Sequence, residues 1–561
     1  MQRVEWQLDA VDLRPVEKWL QSRRAATDPA EADSTPRRSD PAGPPPAPSV
    51  AYQPQPKRTI TETYYDTADW RLHRAGLTLG LRCDDGEHAV SLNRLEGVDR
   101  VGPQAEIEER LPGCEVESLL ASDGRAGAWV RALVGGRPLL PLFTLDSTRQ
   151  PYLILTGAEQ VGAVTLDDTR IPLPEDREPT RINRVRVELD PDQVEVLRPY
   201  LEDLRAACRL TPAMTPEFEA GLLARGLIPQ REPDLGSTTV LASHTVGELA
   251  FAMLRRQFMA FRKNEPAARI GEDDEALHDM RVAARRMRAA ISLFSPALPA
   301  HTEPLREELR WIGGVLGEVR DADIQLERLA AWAQDADETQ VASLQMLSRI
   351  LEKHRQRARE RLLRALDSRR YQRLVERFTS MLQRGPLRRS MNSRTPALAL
   401  LPEMIAAHHA RVVKLGDRLK PDSPPQAYHR MRIRCKRLRY AVEFSREAYG
   451  PPAVEFAEVM VGMQDLLGLH QDAYVAVGSL EELLGREARR LPPQAVFLMG
   501  QIAQRYMQEA ARLRKRFPKA YRQVKGKSWV RLQQTMEASR PAAWPEATRP
   551  EATASEPTAG G

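Results

Sequence analysis

A row of basic side chains with helical spacing occurs twice in the second half of the chain. In the first copy, His278, Arg281, Arg285 and Arg288 follow one another at intervals of three, four and three residues. That spacing places the side chains on one face of an α-helix, where neighbouring like charges destabilise the helix by a few tenths of a kcal/mol per pair. Such a row calls for an anionic partner, either carboxylates of the same chain or an external polyanion.

The second copy follows the first at a constant offset of 151 residues. Its row consists of His429, Arg432, Lys436 and Arg439, and Arg286 and Arg437 border the two rows. The match resumes at the same offset, where a Leu-Gly-x-x-x-Asp segment ends at Asp321 in one copy and at Asp472 in the other. Two matches at one offset indicate two copies of one helical unit, which we expect to be related by a pseudo-twofold axis.

A phosphate chain is the external polyanion that this pattern favours. The forked guanidinium of arginine binds two phosphate oxygens, and a row at intervals of about 5–6 Å suits repeating phosphates. Nucleic acid is the competing ligand, but the rows lack interleaved aromatic residues on which bases stack. Asp321, Asp323 and Asp472 are the intramolecular alternative. The two histidines fit metal ligation, a role as phosphoacceptor or phosphate donor, or a structural hydrogen bond.

Charge is distributed unevenly along the 561 residues. Residues 1–240 carry a net charge of −10, whereas residues 241–530 carry +17. This difference predicts two domains, the acidic one suited to cations and the basic one to a polyanion. No apolar run reaches the roughly 20 residues of a membrane span, and the first residues lack the pattern of a secretory signal. The four cysteines are widely spaced, so we expect reduced thiols in a cytosolic protein rather than a disulfide framework or a zinc knuckle.

The two halves also differ in periodicity. Early segments such as Leu77–Arg82, Val164–Asp167 and Arg184–Leu189 alternate apolar and polar residues, which is typical of antiparallel strands. Their polar face carries both arginines and carboxylates, and it suits either solvent or the inside of a wet barrel that holds an anion and a metal. After residue 240, long segments rich in Ala, Leu, Arg and Glu predict an all-α bundle.

These patterns predict the domain organisation. We expect an α+β domain over residues 1–228 with a Pro-rich, extended or disordered insertion at 25–57, and a linker over 229–240. An all-α domain with two repeats is expected over 241–530, and a mostly disordered tail over 531–561.

The doubled motif His-x-x-Arg-x-x-x-[Arg/Lys]-Arg-x-Arg, followed by Leu-Gly-x-x-x-Asp, resembles the CHAD domain, the conserved histidine α-helical domain. The resemblance covers about 241–530 and implies a duplicated helical fold that binds inorganic polyphosphate through a basic central surface. The residues that the resemblance assigns to this surface are His278, Arg281, Arg285, Arg286, Arg288, His429, Arg432, Lys436, Arg437 and Arg439.

The first half resembles the CYTH domain of the triphosphate tunnel metalloenzymes, chiefly through Tyr64–Leu79 and through the order of the two domains. This resemblance implies a closed antiparallel β-barrel whose polar faces point inward and form a tunnel. The residues implied as ligands of Mg²⁺ or Mn²⁺ are Glu5, Glu106, Glu108, Asp167 and Glu188. Those implied as ligands of triphosphate are Arg82, Arg149 and Arg186.

Several positions depart from the pattern of that family. Gln7 and Asp9 stand where a second carboxylate and a lysine are usual, Gly80 and Asn93 replace basic residues, Arg186 stands where a second glutamate is common, and Pro216-Glu217 replaces a Ser-Lys motif. Hydrolysis requires enough carboxylates to hold a metal and enough cations to offset the charge of triphosphate. We therefore expect a degenerate tunnel with weak or absent hydrolysis, and bound metal only if the tunnel retains its ligands.

The expected function is binding of inorganic polyphosphate or triphosphate in the cytoplasm, in association with polyphosphate granules. Two alternatives remain: an active metal-dependent inorganic triphosphatase with a polyphosphate-binding CHAD domain, and a nucleic-acid-binding module. We expect neither nucleic acid nor a membrane as partner.

Overall fold

Ten antiparallel strands form the centre of the first of two structural units. The computed structural model describes residues 4–23, 50–84, 86–95, 106–157, 159–175, 177–241, 243–334, 336–487 and 491–541. The chain divides into Met1–Glu232 and Pro233–Gly561. Most of the predicted Pro-rich insertion and the last 20 residues of the predicted tail lie outside the described residues.

The strands of the first unit form one sheet. They are β1 (Val4–Asp9), β2 (Val50–Pro54), β3 (Arg58–Thr67), β4 (Leu77–Asp84), β5 (Glu87–Arg94), β6 (Ile107–Leu111), β7 (Leu139–Thr156), β8 (Glu159–Ile171), β9 (Thr180–Leu189) and β10 (Thr211–Pro212). Their order is β10-β1-β9-β8-β7-β3-β4-β5-β6, and β2 pairs with β7. The helices of this unit are α1 (Arg14–Gln21), α2 (Arg71–Arg74), α3 (Val116–Ala121), α4 (Arg125–Val134), α5 (Val194–Cys208) and α6 (Glu217–Arg225), with a 3₁₀ turn at Pro191–Gln193.

The predicted α+β class with an antiparallel sheet is confirmed, but the sheet is not closed. Among the described residues, no pairing joins β6 to β10, the two ends of the sheet. The register shifts at Tyr64/Tyr65, where β3 pairs with β7, and at Ile154/Leu155, where β7 pairs with β8. Bulges of this kind increase the local bending and twist of a strand. The expected closed barrel is therefore an open sheet with a cavity along its inner face.

Helices make up the second unit, which confirms the predicted all-α bundle. They are α7 (Val246–Ile270), α8 (Asp274–Leu293), α9 (Thr302–Ala333), α10 (Glu338–Asp367), α11 (Arg369–Arg384), α12 (Met391–Arg394), α13 (Ala397–Gly416), α14 (Pro425–Tyr449), α15 (Pro451–Glu487), α16 (Pro493–Val524) and α17 (Lys527–Ala538), with a 3₁₀ turn at Ser295–Ala297. None of the helices in the described ranges combines the length and the apolar character that a membrane span requires.

The duplication seen in the sequence is also a duplication of structure. Helices α7 and α13 begin 151 residues apart, and so do α8 and α14. The N–H of Val246 donates to the carbonyl of Thr395, and the N–H of Ala397 donates to the carbonyl of His244, both at 2.8 Å. Val246 and Ala397 are equivalent positions of the two copies, and so are His244 and Thr395. Each bond is therefore the counterpart of the other, as a pseudo-twofold axis requires.

Three segments differ from the sequence-based expectations. Strand β2 lies within the predicted insertion. Packing holds it in the unit, since Tyr52 is buried with its ring 5.5 Å from that of Trp19. The predicted linker contributes Leu235 and Val240 to the core of the helical unit. The first part of the predicted tail belongs to α17, whose buried residues Trp529, Leu532 and Met536 have the spacing of an apolar helix face.

The cysteines also differ from the expectation of four reduced thiols. Cys83 and Cys114 form a disulfide, whereas Cys208 and Cys435 are free. Cys83 lies in β4 and Cys114 follows β6, and both strands are neighbours of β5. The order of strands brings the two residues together although 31 positions separate them in the sequence.

Candidate functional site

Strands of the sheet in the first unit line a cavity of about 520 Å³. Six of the eight predicted tunnel residues line it: Arg82, Glu108, Arg149, Asp167, Arg186 and Glu188. They come from β4, β6, β7, β8 and β9, and the period of two along each strand points them to one face.

Asp167 is the most deeply buried carboxylate of this cavity. Its side chain is 1% exposed, with Arg149 Nε 3.3 Å from Oδ1 and Arg186 Nη2 3.5 Å from Oδ2. The strand register explains this arrangement. Arg149 on β7 is the cross-strand partner of Asp167 on β8, and Arg186 on β9 is the cross-strand partner of Thr165, two residues before Asp167. Burial raises the pKa of Asp167, and the two arginines act against that shift. Neither oxygen has a hydrogen-bond partner in the part of the chain that the structure describes.

Arg186 connects Asp167 to two further carboxylates. Its Nε lies 3.4 Å from Glu5 Oε1, and its Nη2 lies 3.8 Å from Glu217 Oε1. Glu5 does not line the cavity itself, but β1 pairs with β9 and brings its carboxylate to Arg186. Glu217, at the start of α6, belongs to the segment that replaces the family's Ser-Lys motif, so a carboxylate stands where the family has a cation.

Glu62 is a carboxylate of this region that sequence reasoning missed. The hydroxyl of Ser91 donates to its Oε1 at 2.8 Å, and burial raises the pKa of Glu62. A Cβ at Gly80 would overlap Glu62 Oε1, so the glycine leaves space for this side chain. The alternation of Ile60, Glu62 and Tyr64 on β3 is the signal that could have identified it.

Other titratable residues that line the cavity were also missed. They are Arg58, Asp84, Glu87, His88, Glu109 and Arg110. Arg58 faces Arg149 across β3 and β7, and Arg110 is the partner of Ala89, which is itself the partner of Arg82. These pairings depend on the register of strands distant in sequence. Two arginines thus add to the three that the resemblance implied.

Two residues that belong to the CYTH resemblance, Glu106 and Asp66, are not among those that line the cavity. Glu106 precedes β6 and is exposed. Asp66, in the segment that carries the CYTH resemblance, is buried and supports the turn into α2. Its Oδ1 accepts the N–H groups of Thr67 and Leu72 at 2.7 and 2.9 Å, and its Oδ2 accepts that of His73 at 2.8 Å.

The donor set of the cavity fits a hard divalent cation. Mg²⁺ and Mn²⁺ prefer carboxylate oxygens, and Asp167 and Glu188 provide them together with Glu5 nearby. The two orphaned oxygens of Asp167 agree with such a ligand. Arg149 and Arg186 already offset the charge of Asp167, however, so a cation has to compete with them.

The basic rows of the second unit lie on α8 and α14, which pack against each other. Charges from both rows act on Lys436. Burial and then Arg432, Arg285 and Arg281 lower the pKa of Lys436 to about 7. Arg285 is the residue equivalent to Lys436 in the first copy, so the two rows converge across the pseudo-twofold axis. They form one basic surface, made of the ten residues predicted for polyphosphate together with their cationic neighbours.

Most cations of this basic surface lack a carboxylate partner. In the described part of the helical unit, no carboxylate oxygen lies within 4.0 Å of Arg288, Arg432, Lys436 or Arg437. The buried Nε atoms of Arg286, Arg288, Arg432 and Arg439 have no hydrogen-bond partner there. Unpaired buried donors are uncommon in proteins, and these atoms are available to an anion or to water.

Some of the predicted cations do have partners. Arg286 and Arg439 share Glu443, at 3.5 and 3.1 Å, and Arg285 Nε donates to the hydroxyl of Tyr440 at 2.8 Å. Arg281 lies 3.8 Å from Asp321. The intramolecular alternative thus accounts for part of the first row.

The other two aspartates of that alternative bind elsewhere. Asp323 is buried and accepts from Arg355 Nε at 2.6 Å, and Asp472 lies 3.9 Å from Arg328. The two predicted histidines differ from each other: the ring Nδ1 of His429 lies 3.0 Å from Gln471 Oε1, and His278 is partly buried. The bond at His429 matches the structural role considered for the histidines.

Further arginines outside the repeated motif extend the basic surface. Burial and then Arg310 and Arg306 of α9 lower the pKa of Arg288. Burial and then Arg434, Arg411 and Arg306 lower the pKa of Arg437. Sequence reasoning missed the two arginines of α9, because their acidic neighbours Glu303 and Glu307 give that segment the pattern of a solvated helix face.

Comparison with known proteins identifies the helical unit. Residues 252–481 match the family model of the CHAD domain. The solved CHAD domain from the plant Ricinus communis is 26% identical, over 52% of this chain and 97% of that one, with a TM-score of 0.43. PptA from Streptomyces chartreusis is 24% identical, over 50% of this chain and 100% of that one, with a TM-score of 0.41.

The first half has a different set of similar structures. A putative adenylyl cyclase from Hippeastrum, described as having a dominant triphosphatase activity, is 12% identical over 41% of this chain and 98% of that one, with a TM-score of 0.26. The search of curated proteins gave no match. The CHAD resemblance seen in the sequence is thus confirmed over residues 252–481, and the first half is similar in fold alone to the structures found for it.

Proposed function

We propose that this chain binds inorganic polyphosphate through the basic surface of its CHAD domain and that the CYTH-like cavity binds triphosphate with weak or no hydrolysis. The observation that carries the first part is the convergence of two equivalent basic rows, in which Arg288, Arg432, Lys436 and Arg437 have no carboxylate oxygen within 4.0 Å among the described residues. Burial and then the neighbouring arginines lower the pKa of Lys436 to about 7, and the contribution of the arginines is a positive potential that favours an added negative charge.

Charge density favours a phosphate chain over nucleic acid as the ligand. The surface presents guanidinium groups at short intervals, whereas the aromatic rings nearest to it are engaged in the protein. Tyr440 accepts from Arg285 and stacks at 5.9 Å from Phe444 in the core. Nucleic acid would find cations for its phosphates, but the Tyr440 ring at this surface is already engaged and cannot stack on a base.

Competition distinguishes the two polyanions. We expect long-chain polyphosphate to displace the full chain from labelled DNA at a far lower phosphate concentration than DNA needs to displace it from labelled polyphosphate. Fluorescence anisotropy at one fixed salt concentration measures both directions, since salt weakens the binding of either polyanion. If single-stranded or duplex DNA wins the competition, the nucleic-acid-binding module becomes the better interpretation.

The cavity supports triphosphate binding better than efficient hydrolysis. Its five arginines, Arg58, Arg82, Arg110, Arg149 and Arg186, provide charge for a triphosphate. Bound Mg²⁺ or Mn²⁺ would neutralise phosphate oxygens and polarise the bond to be cleaved. The carboxylates expected to hold it are partly occupied, because Arg149 and Arg186 contact Asp167 and Arg186 contacts Glu5.

An active metal-dependent triphosphatase is the second candidate, favoured by the two orphaned oxygens of Asp167. A phosphate-release assay on tripolyphosphate with Mg²⁺ and with Mn²⁺ distinguishes this active triphosphatase from a cavity that binds triphosphate with weak or no hydrolysis. We expect little release by the unmodified chain. Efficient release that Asp167→Asn abolishes and the neighbouring control Asp168→Asn preserves would establish the second candidate instead.

A further inference from the structure

Two cysteines and a histidine meet at the β4–β5–β6 end of the cavity, apart from the carboxylates and arginines described above. His88 on β5 is the cross-strand partner of Cys83 on β4 and of Leu111 on β6, three residues before Cys114. The two Sγ atoms and a ring nitrogen of His88 all lie within 4.8 Å of one another. The two Sγ atoms are bonded to each other in the disulfide, and reduction of that bond leaves three ligand atoms close enough to bind one ion.

The histidine has an unused ligand atom. Nδ1 of His88 is buried and has no hydrogen-bond partner among the described residues. A buried ring nitrogen normally has a hydrogen-bond partner. Nδ1 of His88 is therefore available to bind an external ligand such as a metal ion. All three side chains are partly exposed, so that an ion or a small thiol can reach them.

The group borders the cavity. His88 is one of the residues that line it, and so are Arg82 and Asp84, the two neighbours of Cys83 on β4. Cys114 lies in the segment that follows β6, the strand that carries Glu108 and Arg110. A bond or a metal between these residues therefore fixes the end of β6 to β4, next to charged groups of the cavity.

We propose that Cys83, Cys114 and His88 form a redox-controlled site for a borderline-soft divalent cation, Zn²⁺. Thiolate sulfur and imidazole nitrogen are the ligands that Zn²⁺ prefers, unlike the carboxylate oxygens that suit Mg²⁺. The two sites differ in donor chemistry and in residues. The proposal is independent of polyphosphate binding and of hydrolysis.

The disulfide and the metal exclude each other. A dithiol reductant supplies two electrons and two protons to the Cys83–Cys114 bond, which gives two thiols, while the reductant becomes a disulfide. Zn²⁺ then displaces the two thiol protons and binds two thiolates and the neutral imidazole, with a fourth position open to water or an anionic oxygen. Oxidation of the thiolates by a disulfide reverses the exchange and releases the ion.

Cobalt titration of the full chain tests the proposal, because Co²⁺ takes the place of Zn²⁺ and its thiolate bonds absorb light. The chain is reduced, freed of reductant under argon and titrated with Co²⁺. We expect a sulfur-to-cobalt charge-transfer band that saturates at one ion per chain and disappears on addition of Zn²⁺. The oxidised chain should show no such band.

Variants assign the ligands. Cys83→Ser and Cys114→Ser should each abolish the charge-transfer band, whereas Cys208→Ser, which removes a free and partly exposed cysteine elsewhere in this unit, should retain it. Circular dichroism confirms that each variant is folded. The comparison of reduced and oxidised wild-type chain needs no variant. Absence of the band in the reduced wild type, or its persistence in Cys83→Ser, overturns the proposal.

Discussion

At the scale of single residues, Lys436 is the position where the basic surface has the clearest chemical consequence. Burial and four nearby arginines lower its pKa from 10.5 to about 7, so the free protein loses this charge as the pH rises through neutrality. A bound polyanion favours the charged form, and binding above pH 7 must therefore take up a proton.

This uptake predicts a pH dependence of polyphosphate affinity. Between about pH 6 and about pH 8 the affinity should fall, by at most about tenfold per pH unit, since one proton is involved. Lys436→Arg, which copies Arg285 of the first repeat, should make the profile flatter because arginine stays charged. Calorimetry at a series of pH values measures both proteins, and parallel profiles would show that Lys436 does not take part.

The stability of the protein should respond in the opposite direction. The folded chain binds fewer protons at Lys436 than the unfolded chain does between about pH 7 and pH 10.5. This group therefore makes a contribution to the free energy of unfolding that rises with pH over that window.

The motif alone identified the row of cations, but the shift at Lys436 depends on the approach of α8 to α14, which no local pattern encodes.

At the scale of the elements, the pairing of β1 with β9 explains one departure from the CYTH pattern. Asp9 and Gln7 accept hydrogen bonds from Arg184 at 3.1 and 3.2 Å, and the carbonyl of Thr215 accepts another at 2.8 Å. The Arg184 side chain is only 2% exposed, so Asp9 is the carboxylate partner of a buried cation. The lysine that the family has at this position would bring a like charge to Arg184.

We therefore predict that Asp9→Lys destabilises the first unit rather than restoring a phosphate ligand. Loss of one partner of a buried ion pair costs about 3–5 kcal/mol, and the partial exposure of Asp9 places the effect toward the lower end. Urea unfolding followed by circular dichroism measures it, with Asp192→Lys on an exposed turn as the control for the change in charge. Equal unfolding midpoints for the two variants would contradict the structural role of Asp9.

The same elements show what the sequence could predict. Alternation identified strands β4, β8 and β9, because the strand period is local, whereas the cavity-facing residues, with Arg149 of β7 among them, followed from the CYTH resemblance. The pairing of Asp9 with Arg184, 175 residues apart, and the space that Gly80 leaves for Glu62 depend on strand register. Likewise, the Cys83–Cys114 disulfide follows from the order β4-β5-β6, which spacing in the sequence does not contain.

At the scale of the whole molecule, the division of charge corresponds to two units with different ligand chemistry. Carboxylates and arginines are mixed in the cavity of the first unit, whereas unpaired cations dominate the basic surface of the second. The duplication was predictable because the 151-residue offset is exact in the sequence, and the starts of α7, α8, α13 and α14 repeat it in the structure. What the offset could not give is the convergence of the two rows on one surface.

The most direct test of polyphosphate binding by this surface is calorimetric titration of two matched quadruple variants with long-chain polyphosphate. One variant changes Arg281, Arg285, Arg432 and Lys436 to Ala. The other changes Lys353, Arg357, Arg369 and Arg373 to Ala, which removes the same types and number of charges from exposed positions of α10 and α11. Each charge-assisted contact contributes roughly 1–3 kcal/mol, so we predict that the first variant binds at least about 100-fold more weakly and that the second stays within a few-fold of the wild type. Unchanged affinity of the first variant, with its helical circular dichroism intact, would contradict the assignment of this surface as the polyphosphate site.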